Sequence, residues 1–123
     1  MNALDNVADI PPQRIWDGVV ARSVQLDRLT MAVVELDPGA VVPEHRHDNE
    51  QAGLVVAGTV VFTVAGETKD LGPGGTWRIA GGVPHSVEAG PEGATVIDVF
   101  SPARADWDEL EREAPRSPAW PGR

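Results

Sequence analysis

Glycine and proline divide this sequence into many short segments, and this feature most restricts the folds it can adopt. The 123-residue chain holds 13 glycines and 11 prolines, and the segments between them are rich in valine, threonine and isoleucine. Turn residues that recur at roughly 8–12-residue intervals between β-forming runs are typical of an all-β sandwich or barrel. We therefore predict an all-β domain with strands over residues 14–21, 30–37, 40–46, 51–57, 59–65, 75–80, 84–89 and 93–100.

The two ends of the chain differ from this central region. After the last predicted strand, Ser101 is a candidate N-cap for a short helix, and Pro102 suits the first turn of that helix. Trp107 and Leu110 would then share one helix face. The predicted parts are an N-terminal extended segment, which a partner subunit could exchange, over residues 1–12, a barrel over 13–101, and a short helix with a Pro-rich tail over 102–123.

The composition excludes several classes of protein. The sequence contains no cysteine, which rules out disulfides, thiolate metal sites and a cysteine nucleophile. The formal net charge is −9 and no lysine or arginine cluster occurs, so we expect neither nucleic acid nor an anionic membrane as a partner. The first residues show no secretion-signal pattern, and no apolar run approaches the ~18 residues that cross a bilayer. We therefore expect a cytoplasmic protein.

The three histidines of the chain fall in one pattern with a glutamine. His45 and His47 are two residues apart, Gln51 has the same parity, and His85 follows further along. Side chains of equal parity point to one face of a β-strand, and imidazole is the commonest metal ligand in proteins. The pattern predicts a mononuclear metal site on a sheet, with the last ligand supplied by a distant strand. Glu50 has the opposite parity and would bind the metal only if a bulge shifted the strand.

The same residues give the sequence a resemblance to the two motifs of the cupin superfamily. GAVVPEHRHDNEQAGLVVAG is similar to the first motif, and the region around GTWRIAGGVPHSVEA is similar to the second. The matching positions are Gly39, His45, His47, Gln51 and Gly58 in the first motif, and Gly74, Gly82 and His85 in the second. Ala80 and Ala89 depart from the second motif at a turn and at a supporting residue. The resemblance implies a small single-domain cupin, which is a double-stranded β-helix (jelly-roll barrel) with its metal in the mouth.

The predicted ligands are three imidazoles and one amide oxygen. These ligands would bind one divalent transition metal ion, and they do not distinguish among Zn²⁺, Ni²⁺, Mn²⁺ and Fe²⁺. Because Gln51 is neutral, it leaves the ion its full charge, whereas ferrous oxygenases of the 2-His-1-carboxylate kind have an anionic ligand. The site therefore favours polarisation of a substrate oxygen over activation of dioxygen. An oxygenase stays open, because the cupin superfamily also contains three-histidine oxygenases.

The last predicted strand carries a single charge in an apolar run. Asp98 shares a strand face with Phe100, and a carboxylate in such a strand is costly unless it is paired or useful. Asp98 either meets water or an arginine on a half-exposed strand, or faces the metal cavity as a general-base candidate. Arg104 either binds a substrate carboxylate over the mouth or pairs at the surface with Asp106 or Asp108.

A narrower resemblance concerns IDVFSPARADW, which looks like the C-terminal signature of the pectin-degradation cupins that act on 4,5-unsaturated monouronates. It implies a non-redox lyase or isomerase that opens the ring of such a uronate to give the linear ketouronate. Asp98 would then be the acid/base group, Arg104 would hold the substrate carboxylate, and Phe100 would shape the pocket. Trp77 would bind substrate if it faced the cavity. Tryptophans here, including Trp16 and Trp107, are more often core or dimer-contact residues.

Two other functions stay open from the sequence. One is a cupin dioxygenase that acts on a small organic substrate, and the other is a non-catalytic cupin that binds a metal or a ligand. Each of the three functions has a small molecule as its partner. Small cupins commonly dimerise through barrel faces or exchanged N-terminal strands, so we also expect a homodimer.

Overall fold

A computed structural model describes residues 3–122. Within that range the backbone forms eight β-strands and two short 3₁₀ helices, which confirms the predicted all-β class. The strands are β1 (Gln13–Trp16), β2 (Val19–Gln25), β3 (Thr30–Leu36), β4 (Val41–His45), β5 (Glu50–Val64), β6 (Glu67–Leu71), β7 (Thr76–Ile79) and β8 (His85–Ser101). The 3₁₀ helices span Val7–Asp9 and Ala105–Glu109. Neither they nor any other helical stretch in the described range has the length and apolar character to cross a membrane.

The two longest strands, β5 and β8, run through both halves of the barrel and pair with each other along most of their length. Hydrogen-bonded neighbours follow the order β1-β2-β3-β8-β5-β6, with β4 beside β8 and β7 beside β5. All these pairs are antiparallel. This topology is the predicted jelly-roll barrel, and it brings the ends of β4, β5 and β8 to one mouth.

The four strands predicted over residues 51–57, 59–65, 84–89 and 93–100 are two continuous strands, β5 and β8, so their division is wrong. The apparent break in β5 is a bulge at Gly58, where the pairing register with β8 shifts on both sides. Gly58 has a φ of +76°, and a Cβ atom there would lie 2.1 Å from the carbonyl oxygen of Gly93. A glycine at this position therefore bends a continuous strand without ending it.

Two other strand predictions also need correction. The predicted strand 14–21 is a hairpin of β1 and β2, because the chain turns at Asp17 and Gly18. Strand β6 was missed. Its residues are mostly exposed, so its sequence lacks the apolar alternation that marks a half-buried strand.

The C-terminal segment crosses the end of the barrel that holds the mouth. The short helix is the five-residue 3₁₀ helix Ala105–Glu109, and Ser101 does not cap it. Ser101 is the last residue of β8, and its hydroxyl donates to the carbonyl of Arg28 at 3.1 Å. The buried amide of Gln13 on β1 donates to the carbonyls of Trp107 and Leu110, each at 3.0 Å. These bonds fasten the segment in place.

The two ends of the described range pack on the outside of the barrel. The N-terminal segment, expected to be extended, contains the 3₁₀ helix Val7–Asp9. The Pro-rich tail lies against β2 and β3, where the buried Arg22 donates to the carbonyl of Arg116 at 3.0 Å. The amide of Ala119 donates to Glu35 at 2.9 Å. The apolar core inside the barrel includes Val19, Ala32, Val34, Val55, Val60, Phe62, Val96 and Phe100.

Candidate functional site

Three histidines meet at the mouth of the barrel. His45 is the last residue of β4 and His85 is the first of β8, and their Cα atoms are paired across the two strands. His47 lies in the loop between β4 and β5. The ring nitrogens that could bind a metal all lie within 4.8 Å of one another. His45, His47 and Gln51 do not share one strand face as their equal parity predicted, because they lie on β4, in the following loop and on β5. Their side chains nevertheless converge, and His85 comes from a distant strand as expected.

The three imidazoles share one hydrogen-bonding pattern. In each ring, Nδ1 lies within hydrogen-bonding distance of a backbone carbonyl two residues away. The acceptors are the carbonyls of Pro43, Asn49 and Val83, at 2.9, 3.1 and 2.9 Å for His45, His47 and His85 respectively. A carbonyl can only accept, so each neutral ring carries its proton on Nδ1 and its lone pair on Nε2. This is the tautomer that presents Nε2 to a metal.

Burial favours the neutral form of two of these imidazoles, His47 and His85. It is the main reason that the pKa of His47 is lowered and that the pKa of His85 falls to about 4. The Nε2 atom of His85 is buried, and it has no hydrogen-bond partner within residues 3–122. An unsatisfied buried lone pair is costly, and a metal ion at this point would satisfy it.

Gln51, the second residue of β5, completes the set. Its Oε1 lies 3.1 Å from Nε2 of His47, and its Nε2 donates to Oδ1 of Asp98 at 2.9 Å. The bond to Asp98 fixes the amide so that its oxygen faces the histidines. Because the proton of His47 is on Nδ1, its Nε2 and the Oε1 of Gln51 are two acceptors that face each other. Such an arrangement is favourable when both atoms bind the same cation, so the residues present fit a metal site with the ligands His45, His47, Gln51 and His85.

Asp98 lies on β8 beside this cluster, and 8% of its surface is exposed. Its Oδ1 accepts from Gln51 and from the indole Nε1 of Trp77, the latter at 2.8 Å. Burial raises the pKa of Asp98 to about 6, although both hydrogen bonds and the charge of Arg104 oppose this rise. Asp98 is therefore a buried carboxylate with a pKa suited to proton transfer near neutral pH.

Arg104 follows β8 and covers one side of the mouth. Its guanidinium carbon lies 4.8 Å from the ring centre of Phe100 and 4.5 Å from that of Trp107. Its Nε and Nη2 donate to the two carboxylate oxygens of Asp106, at 3.1 and 2.9 Å. Arg104 therefore makes the predicted surface pair with Asp106 and also lines the cavity, where its binding of a substrate carboxylate stays a prediction.

These groups surround a cavity of about 280 Å³, which is the size of a site for one small molecule. Its apolar walls include Ile15, Trp16, Val34, Val96, Phe100, Trp107 and Leu110. Its polar groups are His45, Gln51, His85, Asp98, Arg104 and Asp106.

Sequence reasoning missed the contribution of Trp16 and Trp107 to this wall. Trp16 lies with its ring centre 5.2 Å from that of His45. No local spacing could indicate this contact, because it depends on how β1 folds over the mouth.

Trp77, which we expected to contact substrate if it faced the cavity, has a different position. It is buried and is not among the residues that line the cavity. Its ring stacks on Phe62 with the centres 4.6 Å apart, and its indole nitrogen donates to Asp98. Glu50, the alternative metal ligand, is exposed at the start of β5 and lies outside the histidine cluster.

The cupin domain family matches residues 32–100 of the chain, which include both histidine motifs and Asp98. The chain belongs to the cupin family. This cupin is 32% identical over 101 residues to the pectin degradation protein KdgF of Dickeya dadantii, a match that covers 80% of this chain and 92% of KdgF. It is 30% identical over 98 residues to the oxalate decarboxylase OxdC of Bacillus subtilis, which covers 71% of this chain and 26% of that longer protein.

Solved structures agree with this assignment. The structure of KdgF from Halomonas sp. superposes with a TM-score of 0.79 at 29% identity, covering 86% of this cupin and 98% of KdgF. An RmlC-like cupin from Shewanella frigidimarina superposes with a TM-score of 0.81 at 27% identity, covering 87% and 96% of the two chains. The predicted family and the resemblance to the pectin-degradation cupins are thereby confirmed.

Proposed function

We propose that this cupin is a metal-dependent, non-redox enzyme that converts a 4,5-unsaturated uronate to the linear ketouronate. The observation that carries the proposal is the double role of Gln51. Its carbonyl oxygen contacts His47 of the histidine cluster, while its amide nitrogen donates to Asp98 on the cavity wall. One neutral side chain thus links the candidate metal site to a single buried carboxylate. The similarity to the pectin degradation protein KdgF of Dickeya dadantii supports a substrate of this kind.

His45, His47, Gln51 and His85 would hold the divalent ion. An ion bound there would act as a Lewis acid that stabilises negative charge developing on a substrate oxygen. None of these four ligands is charged, and a redox change at the metal is not required for the reaction. Zn²⁺, Ni²⁺, Mn²⁺ and Fe²⁺ all suit three imidazoles and an amide oxygen.

Arg104 would bind the substrate carboxylate at the mouth. Stacking against Phe100 and Trp107 holds its guanidinium plane, and Asp106 engages Nε and Nη2. The Nη1 group is left to donate to a carboxylate in the cavity. The apolar wall, which includes Phe100, would exclude water from the uronate ring.

Asp98 would carry the proton through the reaction. Its carboxylate takes the proton of the anomeric hydroxyl, the bond between C1 and the ring oxygen breaks, and the electron pair stays on that oxygen. C1 becomes an aldehyde, and C5 bears an enolate. Asp98 then returns the proton to C4, and C5 becomes a ketone. No atom is gained or lost, so the step is an isomerisation without a redox partner.

The test is the ultraviolet absorbance of the conjugated double bond in a 4,5-unsaturated uronate. Metal-loaded wild-type protein should remove this absorbance much faster than the spontaneous decay. Protein treated with a chelator, and the Asp98→Asn variant loaded with metal, should both leave the spontaneous rate nearly unchanged. A wild-type rate equal to the spontaneous decay would show that this uronate is not the substrate.

A further inference from the structure

Three neighbouring strands meet beneath Asp98, and the middle one carries a glycine. Gly53 on β5 is the Cα partner of Asp98 on β8 and also of Trp77 on β7. Directly paired residues on neighbouring strands place their side chains on the same face. Asp98 and Trp77 therefore flank a position with no side chain, and they are two strands apart.

The missing side chain lets the indole cross strand β5. A Cβ atom on Gly53 would lie 2.6 Å from both Nε1 and Cε2 of Trp77, which is closer than real carbon atoms approach. The indole thus occupies the space that any larger residue would fill. From there its Nε1 reaches Oδ1 of Asp98 at 2.8 Å. The stack on Phe62, with an angle of 25° between the rings, holds the indole from its other side.

The second donor to Asp98 lies on the same oxygen. Gln51 also donates to Oδ1, at 2.9 Å. An indole N–H and an amide N–H can only donate, so both bonds hold the Asp98 carboxylate in the same orientation. No donor within residues 3–122 is bonded to Oδ2, which leaves that oxygen for the cavity.

We propose that Trp77 is a positioning residue that sets the orientation of the Asp98 carboxylate without touching the substrate. Gly53 makes this possible by leaving room for the indole. The proposal rests on the proposed function of Asp98 as the group that moves the proton. Gln51 alone would leave the carboxylate free to rotate about a single hydrogen bond.

The test uses Trp77→Phe in metal-loaded protein, because phenylalanine keeps a ring against Phe62 and removes the N–H donor together with the five-membered ring that carries it. We expect kcat to fall about 10- to 100-fold, the range set by one hydrogen bond to a charged group, with KM and metal content nearly unchanged. Val60→Ala is the control. It removes core packing at a residue that does not line the cavity, and it should keep the wild-type kcat.

A second readout does not depend on activity. The chain has four tryptophans, so a nitrogen-15 spectrum contains four indole signals, and the one absent from Trp77→Phe belongs to Trp77. We expect Asp98→Asn to shift that signal more than the other three, because the charged acceptor is lost. An unmoved signal, or an unchanged kcat in Trp77→Phe, would overturn the role of Trp77 alone. A wild-type protein inactive on the uronate would overturn the proposed function, and with it the role of Trp77 in that reaction.

Discussion

Replacing Asp98 by asparagine should make the metal-free protein more stable at neutral pH while it removes the activity. Asparagine has almost the same shape, and its side-chain oxygen can still accept from Trp77 and Gln51. What it loses is the buried negative charge. Burial raises the pKa of Asp98 from 3.8 to about 6, so folding disfavours the ionised form. At about 1.4 kcal/mol per tenfold change in proton affinity, ionisation at pH 7 costs the folded state about 3 kcal/mol.

The sign of the pH dependence follows from the raised pKa. The contribution of Asp98 to the free energy of unfolding is fully present below pH 3.8, where its carboxyl is neutral in the folded and the unfolded state. This contribution is lost as the pH rises through about 6. Wild-type protein and Asp98→Asn should therefore be nearly equal in stability at acidic pH. The variant should be more stable by up to about 3 kcal/mol at pH 7.

Urea denaturation of chelator-treated protein at several pH values measures this difference. Asp70→Asn is the matched control, because Asp70 is exposed on β6, and its effect should stay within about 0.5 kcal/mol. In metal-loaded protein, loss of the general base should lower kcat about 10²- to 10⁴-fold with the metal retained. The reasoning is refuted if metal-free Asp98→Asn is less stable than wild type at pH 7, or if the difference does not change with pH.

Three other substitutions test the metal site, the carboxylate site and the bend in β5. His85→Ala should lose stoichiometric metal in elemental analysis, and a full equivalent would contradict the ligand assignment. Arg104→Ala should raise KM about 10- to 100-fold with a smaller effect on kcat, and an unchanged KM in uronate assays would exclude Arg104 from carboxylate binding. Gly58→Ala should cost more stability in thermal denaturation than Gly66→Ala. Both have positive φ, but only Gly58 lies against the Gly93 carbonyl. Equal losses of stability in the two variants would contradict the close contact between position 58 and the Gly93 carbonyl.

The barrel and the histidine cluster could be predicted because their signals are local. Val, Thr and Ile runs between turns indicate strands, and the spacing of His45 and His47 is visible without any fold. The continuity of β5 was not visible, because glycine usually ends a strand, and Gly58 ends none. The shift of its pairing register with β8 and its close contact with Gly93 show that it marks a bulge.

The remaining features of the site depend on contacts between distant strands. Trp77 lies on the buried face of its own strand, but Gly53 on the neighbouring strand decides where the indole goes. Trp16 reaches the mouth because the hairpin of β1 and β2 folds over it. Arg104 has its position because Gln13, on β1, binds the carbonyls of the segment that follows.

The most direct test of the proposed chemistry is proton NMR of the product formed in deuterium oxide. If Asp98 returns the proton from one side of the cavity, metal-loaded wild-type protein should place deuterium at a single one of the two C4 positions early in the reaction. Asp98→Asn should form no product beyond the spontaneous amount. An equal mixture at C4 from the first time points, or undiminished formation by Asp98→Asn, would contradict the account.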